Sequence, residues 1–415
     1  MIGLLFYLCP ACAGEDCIIE QEDSLFCQKC HSTFSFFNNQ IDHQGNLCTI
    51  SDFYTSIREN LNLFPATSES DARWSKKAIL RQGIKKMSFR DAEGHLSTIE
   101  KPVTVDTGLL QINRESMIFE GKQNRWIFPK TQILGFTTNS KYFEFKLKDK
   151  PFFQILFKEE SPLKYEDLLT KWYAEKQDGP GIIEHQPRII FDQPTPPGLM
   201  VPYEEIECKF YRERFSFPEF LLHLFIGLPL TYFLKWRANL TYQNNALIPP
   251  EGPFILLMNH ESYLDPILIS TLSRRHIAFF TKSTSFSDRF LQPVFRAYRA
   301  LPNRRYETDP MVIRRAIRRL KKGHCIGIFP EGERTWDGKL LPFKYSTVRF
   351  LLSVQVPLVL VKIKGAFNLL PRWSHRLRSG TIRIEVLRCL SLRPGQWDVT
   401  SLKDMLESSY TITPE

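Results

Sequence analysis

No uncharged stretch in this sequence approaches the roughly 20 residues that a membrane-spanning helix needs. The longest candidate, FLLHLFIGLPLTYFL at 220–234, is interrupted by Gly227 and Pro229 and reads as a buried helical hairpin or as an interfacial or re-entrant anchor. The opening MIGLLFYLCPAC lacks a basic region ahead of its apolar run and soon meets Cys9, so it is not read as a signal peptide. No internal repeat of solenoid length is present. No serine or cysteine sits in a motif that marks a covalent nucleophile, and Cys325, inside the apolar run CIGIF, reads as core. Net positive charge is missing from the first half. From Ile206 onward there are 32 Lys and Arg against 17 Asp and Glu, +15, which leaves −5 for the first 205 residues of a chain with net +10. The basic half suits a phosphate-bearing or anionic membrane-surface partner. The acidic half disfavours nucleic acid, whose binding rests on phosphate neutralisation.

With 415 residues, 43% hydrophobic and 24% charged, the chain is of the folded class and long enough for two or three domains. Five of its nine cysteines lie in the first 30 residues. Cys9-Pro-Ala-Cys12 and Cys27-Gln-Lys-Cys30 are two CxxC knuckles, the spacing at which four thiolates surround a Zn²⁺ ion. In so short a segment the metal would stand in for a core, and folding would depend on it. Cys17 and His31 are spare donors. A structural zinc ribbon over 1–50 is the expectation, and bound thiolates imply a reducing compartment.

Between residues 76 and 177 the pattern changes to short alternating runs closed by one helical segment, KYEDLLTKWYAEK. Several antiparallel strands and a helix are predicted, as a small barrel or sandwich. The stretch TGLLQINRESMIFEG, with the isoleucine and proline of WIFPKTQILGF, resembles PH-like and GRAM-like domains. That resemblance implies a lipid- or protein-binding module; a structural spacer without a ligand is the alternative. Residues 178–205 form a linker, and six prolines and three glycines fall within 178–203.

From 206 to 415, apolar runs such as FILLMN, IAFFT, CIGIF, VPLVLVKI and TIRIEVL alternate with helical stretches, which predicts an α/β layer with largely buried strands. In DPMVIRRAIRRLKKG, Asp309 caps a helix with Pro310 in its first turn and Gly323 at its end. Its face of Arg314, Arg315, Arg318, Arg319, Lys321 and Lys322 is either solvated or attracted to anionic lipid headgroups.

Two motifs carry the chemistry. In NHESYLD, His260 and Asp265 are about 140° apart on an ideal helix, so the histidine must precede the helix that Ser262 caps. Asp265, at the third position of a capping box, then reaches back to one imidazole nitrogen and leaves the other as an acceptor. That makes a general base; a loop histidine beside a capping aspartate is the plain alternative. In FPEGER, Pro330 stops a strand and Gly332 permits a tight turn. Arg334 suits phosphate, and Glu331 is placed to accept from an acceptor hydroxyl or from backbone amides that shape the loop.

NHxxxxD followed by FPEGxR, and then by VPLVLVKIKGA, resembles the glycerolipid acyltransferase family over about 210–390. The resemblance implies transfer of a fatty acyl group from a thioester, acyl-CoA or acyl carrier protein, to a hydroxyl of a lysophospholipid, with 1-acylglycerol 3-phosphate the first choice. Glycerol 3-phosphate, dihydroxyacetone phosphate and lyso-aminolipids remain as other acceptors, and a non-catalytic, membrane-recruited protein as another class. It implies His260 as base, Asp265 as its orienting partner, and Glu331, Gly332 and Arg334 at the acceptor. A phosphate-holding arginine in YRALPNRR is assigned to Arg304, with Arg305 as alternative, and Lys344 adds a phosphate contact. The family's glycines near Tyr298 and at Ser346, and a proline at Leu360, are absent, which bears on the shape of the acceptor pocket. The expected protein is multidomain: a zinc ribbon, a small β-rich PH-like domain and a C-terminal α/β acyltransferase domain. It would lie at the cytoplasmic face of a membrane as a peripheral or monotopic protein.

Overall fold

The computed structural model describes residues 5–411 except 22–23, 38–39, 44, 63–72, 91–95, 177–227, 271, 273–274, 289, 307–308, 375 and 394. The expected linker and most of the apolar stretch at 220–234 lie outside the described residues.

Three sheets follow one another along the chain. The first has five short strands in sequential order, β1 (Ile18–Gln21), β2 (Ser24–Cys27), β3 (Thr33–Phe37), β4 (Gln40–His43) and β5 (Asn46–Thr49). A helix that the sequence reading did not foresee, α1 (Ile50–Asn60), starts where Thr49 accepts the Asp52 amide.

The second sheet is antiparallel throughout, in the order β10-β11-β12-β6-β7-β8-β9. Its strands are β6 (Arg73–Arg90), β7 (Leu96–Ile112), β8 (Ser116–Gly121), β9 (Arg125–Pro129), β10 (Ile133–Thr138), β11 (Tyr142–Leu147) and β12 (Phe152–Phe157). Helix α2 (Pro162–Lys176) closes it, as predicted. Two of the strands, at 18 and 17 residues, are far longer than the short runs expected, because β6 and β7 pair as one extended hairpin.

The third sheet forms the α/β layer. Helix α3 (Leu228–Ala238) leads into β13 (Leu240–Gln243), and the strand order is β13-β19-β18-β14-β17-β15-β16. Five strands are parallel: β14 (Ile255–Met258), β15 (Ile277–Lys282), β16 (Leu301–Asn303), β17 (Cys325–Ile328) and β18 (Leu358–Lys364). Only β19 (Ile382–Leu390) and β13 run the other way. Between them lie α4 (Asp265–Ser270), α5 (Leu291–Ala297), α6 (Pro310–Lys321), α7 (Tyr345–Val354), α8 (Ala366–Leu369) and, after β19, α9 (Val399–Thr411).

Both faces of this sheet are covered. Ile255, Leu257, Leu358 and Leu360 join one apolar cluster, while Leu256, Met258, Val359 and Val361 join the other. That two-sided burial is why these strands are continuous apolar runs. The alternating strand-end loops open on one edge, where open parallel sheets place their ligands. Because β14 and β17 are neighbours, the loop that carries NHESYLD lies beside the loop that carries FPEGER.

The sheets share their packing. Trp336, Phe367 and Trp373 of the α/β layer are buried in the same apolar cluster as Phe6, Phe34, Phe143 and Phe145 of the two N-terminal sheets. Helix α6 is capped by Asp309 with Pro310 in its first turn, as predicted. Its basic face is divided, however: Arg315 and Arg319 are buried, and only Arg314, Arg318, Lys321 and Lys322 face outward.

Candidate active site

His260 leaves the end of β14 and Asp265 opens α4. The imidazole Nδ1 lies 2.8 Å from Asp265 Oδ2, and that same oxygen accepts the Glu261 amide at 2.7 Å and the Ser262 amide at 2.8 Å. The Ser262 bond is the return half of a capping box, so one carboxylate oxygen both starts the helix and orients the histidine. Because Asp265 Oδ2 already accepts two backbone N–H groups, it is an acceptor toward the ring as well, which assigns the proton to Nδ1 and leaves Nε2 as an acceptor. The ring stacks on Phe329 at 3.9 Å. Burial, then the charges of Arg334, Arg372 and Arg305, hold the imidazole well below the usual histidine range, so it is neutral at pH 7. Burial pushes Asp265 up to about 7 against the two amides and Arg334.

Glu331 is 3% exposed, and both its oxygens are engaged by backbone. Oε1 accepts the His260 amide at 2.7 Å and Oε2 accepts the Leu341 amide at 2.8 Å. Of the two roles left open for it, this geometry is the one that shapes the loops. Thr335 N–H donates to the His260 carbonyl at 3.0 Å, so the two loops clasp each other from both sides. Glu261 does similar work one layer back, accepting from the Phe367 amide at 2.9 Å, while the Asn259 amide bonds both backbone groups of Ile363.

Gly332 has φ +74, and a Cβ there would sit 2.4 Å from Lys344 Cε. The turn therefore needs glycine twice, for the left-handed backbone and for the lysine stem that crosses it. The Arg334 guanidinium lies 3.2 Å over the Tyr263 ring, and its buried Nη1 has no hydrogen-bond partner among the described residues. In YRALPNRR, Arg304 Nε bonds Asp309 Oδ2 at 3.1 Å, beside the cap of α6. Arg305 is the arginine of that pair whose charge reaches His260 and Glu333. Arg304, the first choice of the sequence reading, is thus held at the α6 cap, and Arg305, its alternative, is the one of the pair that acts electrostatically on the His260 site.

Sequence reasoning missed Arg372 and the role of Glu333. Arg372 is 2% exposed, 38 residues beyond Arg334, in a segment with no motif. Nothing in its spacing marked it; a buried arginine becomes visible only when its partners are assembled.

In the N-terminal segment, the Sγ atoms of Cys9, Cys12, Cys27 and Cys30 lie within 4.8 Å of one another. Cys9 and Cys30 are 3.7 Å apart and Cys12 and Cys27 3.8 Å. A tetrahedron with metal–sulfur bonds of about 2.3 Å has sulfur–sulfur edges of about 3.8 Å, so this cluster can hold a metal ion. The spare donor Cys17 is 3.4 Å from Cys27 Sγ.

Residues 239–364, which span most of the α/β layer, match the family model described as Acyltransferase. Two similar proteins share one description. A chloroplastic 1-acyl-sn-glycerol-3-phosphate acyltransferase of Brassica napus is 26% identical over 45% of this chain and 54% of that protein. The 1-acyl-sn-glycerol-3-phosphate acyltransferase of Bacillus subtilis (strain 168) is 25% identical over 35% of this chain and 72% of its own length. The crystal structure of the 1-acyl-sn-glycerophosphate acyltransferase PlsC from Thermotoga maritima aligns at 23% identity and a TM-score of 0.40, covering 49% of this chain and 82% of that one. The chain thus spans about half the length of the plant relative.

Proposed function

We propose that this protein is an O-acyltransferase that moves a fatty acyl group from acyl-CoA or acyl carrier protein to the free hydroxyl of 1-acylglycerol 3-phosphate, giving phosphatidate. The observation that carries the reading is the 2.8 Å contact of His260 Nδ1 with Asp265, which leaves a neutral imidazole with Nε2 as acceptor. In this mechanism the acceptor oxygen attacks the thioester carbonyl as Nε2 takes its proton. The carbon–sulfur bond then breaks, and the imidazolium returns that proton to the leaving thiolate. General base catalysis of this kind contributes about 10² to 10⁴-fold. Arg334 and Arg305, with Lys344 beside Gly332, hold the acceptor phosphate and fix its hydroxyl near the base. Support for phosphate comes from the buried Nη1 of Arg334, which has no hydrogen-bond partner among the described residues. Glu331 serves by holding the loop rather than by touching substrate.

The four cysteines hold a structural Zn²⁺ that fixes the two knuckles and takes no part in transfer. The β-rich middle domain, seven antiparallel strands and a closing helix, is read as PH-like. Among the described residues no helix is long and apolar enough to cross a membrane. Attachment is proposed through α3, where Tyr232, Phe233 and Trp236 are exposed beside Lys235 and Arg237.

The test is acyl transfer on liposomes by wild-type and His260→Ala protein, with both donors and a panel of lysophosphatidate, glycerol 3-phosphate and lyso-aminolipid acceptors. Product from lysophosphatidate should fall by about 10²-fold or more in the variant. Equal turnover by the two proteins would remove His260 as the base.

A further inference from the structure

The acyltransferase motifs do not stand free: a face of the middle domain is packed against the loop that bears them. Thr137 and Thr138, at the end of β10, lie behind FPEGER. Arg372 Nη1 donates to Glu333 Oε2 at 2.9 Å and to the Arg334 carbonyl at 2.7 Å. Its Nη2 donates to Thr137 Oγ1 at 3.3 Å and to the Thr138 carbonyl. Thr137 Oγ1 in turn donates to Glu333 Oε2 at 3.0 Å. Trp336 lies 4.2 Å under the guanidinium. One side chain therefore grips the phosphate-facing loop with one nitrogen and the middle domain with the other.

The same contact continues outward. Lys282, at the end of β15, donates to both oxygens of buried Glu144 on β11, at 2.9 and 2.7 Å, and to Tyr142 Oη at 3.1 Å. Ser283 bonds Glu100 at 2.7 Å, and Arg315 bonds Ser97, both on β7. A Cβ on Gly135 would meet the Tyr306 ring at 2.7 Å, so β10 is bare of side chain where the Arg305–Tyr306 turn lies against it. Buried charges keep such partners only where geometry supplies both halves, and the middle domain supplies half of each. Glu333 gathers this charge: burial opposes its ionisation, but Arg372, Lys344 and Arg305 pull it down to about 2.

Resting on the transfer activity proposed above, we propose that the middle domain is a working part of the acyl-transfer site, with Arg372 and Thr137 as positioning residues. Through Glu333 and the Arg334 carbonyl they set where the Arg334 guanidinium meets the acceptor phosphate. Neither residue touches the reacting atoms. The contribution of these hydrogen bonds is therefore specific to phosphate-bearing acceptors and appears in acceptor KM, while the Arg372 charge that also acts on His260 is kept in Arg372→Lys.

The full chain carrying Thr137→Val or Arg372→Lys tests this, with a thioester donor and two acceptors, lysophosphatidate and a phosphate-free monoacylglycerol. Thr137→Val should raise KM for lysophosphatidate about 5-fold, the size of one hydrogen bond. Arg372→Lys, which keeps charge but loses the fork, should raise it about 10-fold or more. In both variants kcat and monoacylglycerol KM should stay within about 2-fold of wild type, and amide exchange over 329–337 should quicken. Arg372→Gln should show the largest KM increase of the three. Wild-type KM and exchange in these variants would overturn the proposal. So would equal loss with both acceptors accompanied by a lowered melting temperature, the mark of a merely structural joint. If the wild type forms no His260-dependent product from any acceptor, the proposed function has failed separately. Exchange over 329–337 then still decides whether the middle domain holds the loop: quickened in the variants it does, unchanged it does not.

Discussion

The cysteine cluster and the His260 site both gather a handful of side chains within a few ångströms, but by opposite means. Cys9, Cys12, Cys27 and Cys30 come from one short segment around strands of four or five residues. His260, Asp265, Arg305, Arg334 and Arg372 come from separate loops, held by a parallel sheet buried on both faces. In the first, a bound ion would organise the chain. In the second, the chain is organised beforehand and the substrate arrives at a finished shape. The two sites should therefore fail differently.

Metal removal gives the largest difference. Structural zinc supplies about 10–16 kcal/mol to isolated zinc modules, so a chelator should raise amide exchange over residues 9–49 by about 10³-fold or more. His260-dependent transfer should fall by less than about 10-fold, because the sheet that carries it does not depend on the ion. Exchange mass spectrometry beside the liposome assay measures both. Unchanged protection over 9–49 would mean that Leu25, Phe34 and Phe53, buried with the second sheet, hold the knuckles without metal and that the contrast is false.

A smaller effect of the opposite kind is expected from Gly332→Ala. A left-handed backbone costs an L-residue roughly 1–2 kcal/mol, and the new methyl would press on the Lys344 stem. Acceptor KM should rise about 10-fold and the melting temperature should fall by a few degrees, while exchange over 9–49 stays as in wild type. A change at the knuckles would show that the two regions are one cooperative unit.

The difference also decides what could be read from sequence. Paired CxxC knuckles and the NHxxxxD and FPEGER motifs are local, and each is dense in residues with one use, so the cysteine cluster and the His260–Asp265 pair were legible in advance. The two-sided α/β sheet was legible because its strands are unbroken apolar runs. The 18- and 17-residue hairpin was not, since alternation resets at each bulge along β6 and β7. Which of Arg304 and Arg305 faces the site depends on which way a turn rotates, and spacing does not report that. Arg372 was invisible because its partners, Thr137 and Glu333, are 235 and 39 residues away and joined only by the fold.

The finest distinction is electrostatic. Burial and the arginines around His260 hold its pKa well below that of a free histidine. The folded value thus lies below the unfolded one, about 6.5. As pH falls through 6.5 the unfolded chain takes up a proton that the folded site refuses, so this histidine's contribution to stability is present above 6.5 and is lost on acidification. Catalysis should respond the other way in the same window. The base stays neutral, and the part of the acid limb of kcat/KM that belongs to His260 should lie well below pH 6.5, apart from the step of Asp265, which burial pushes up to about 7. An NMR titration of the His260 ring in wild type and Arg305→Gln checks the cause: deleting one of the charges that oppose protonation should move the midpoint upward. A ring that titrates near 6.5 in both proteins would mean that solvent reaches His260 freely. The site would then be less finished before substrate arrives, and closer in kind to the cysteine cluster.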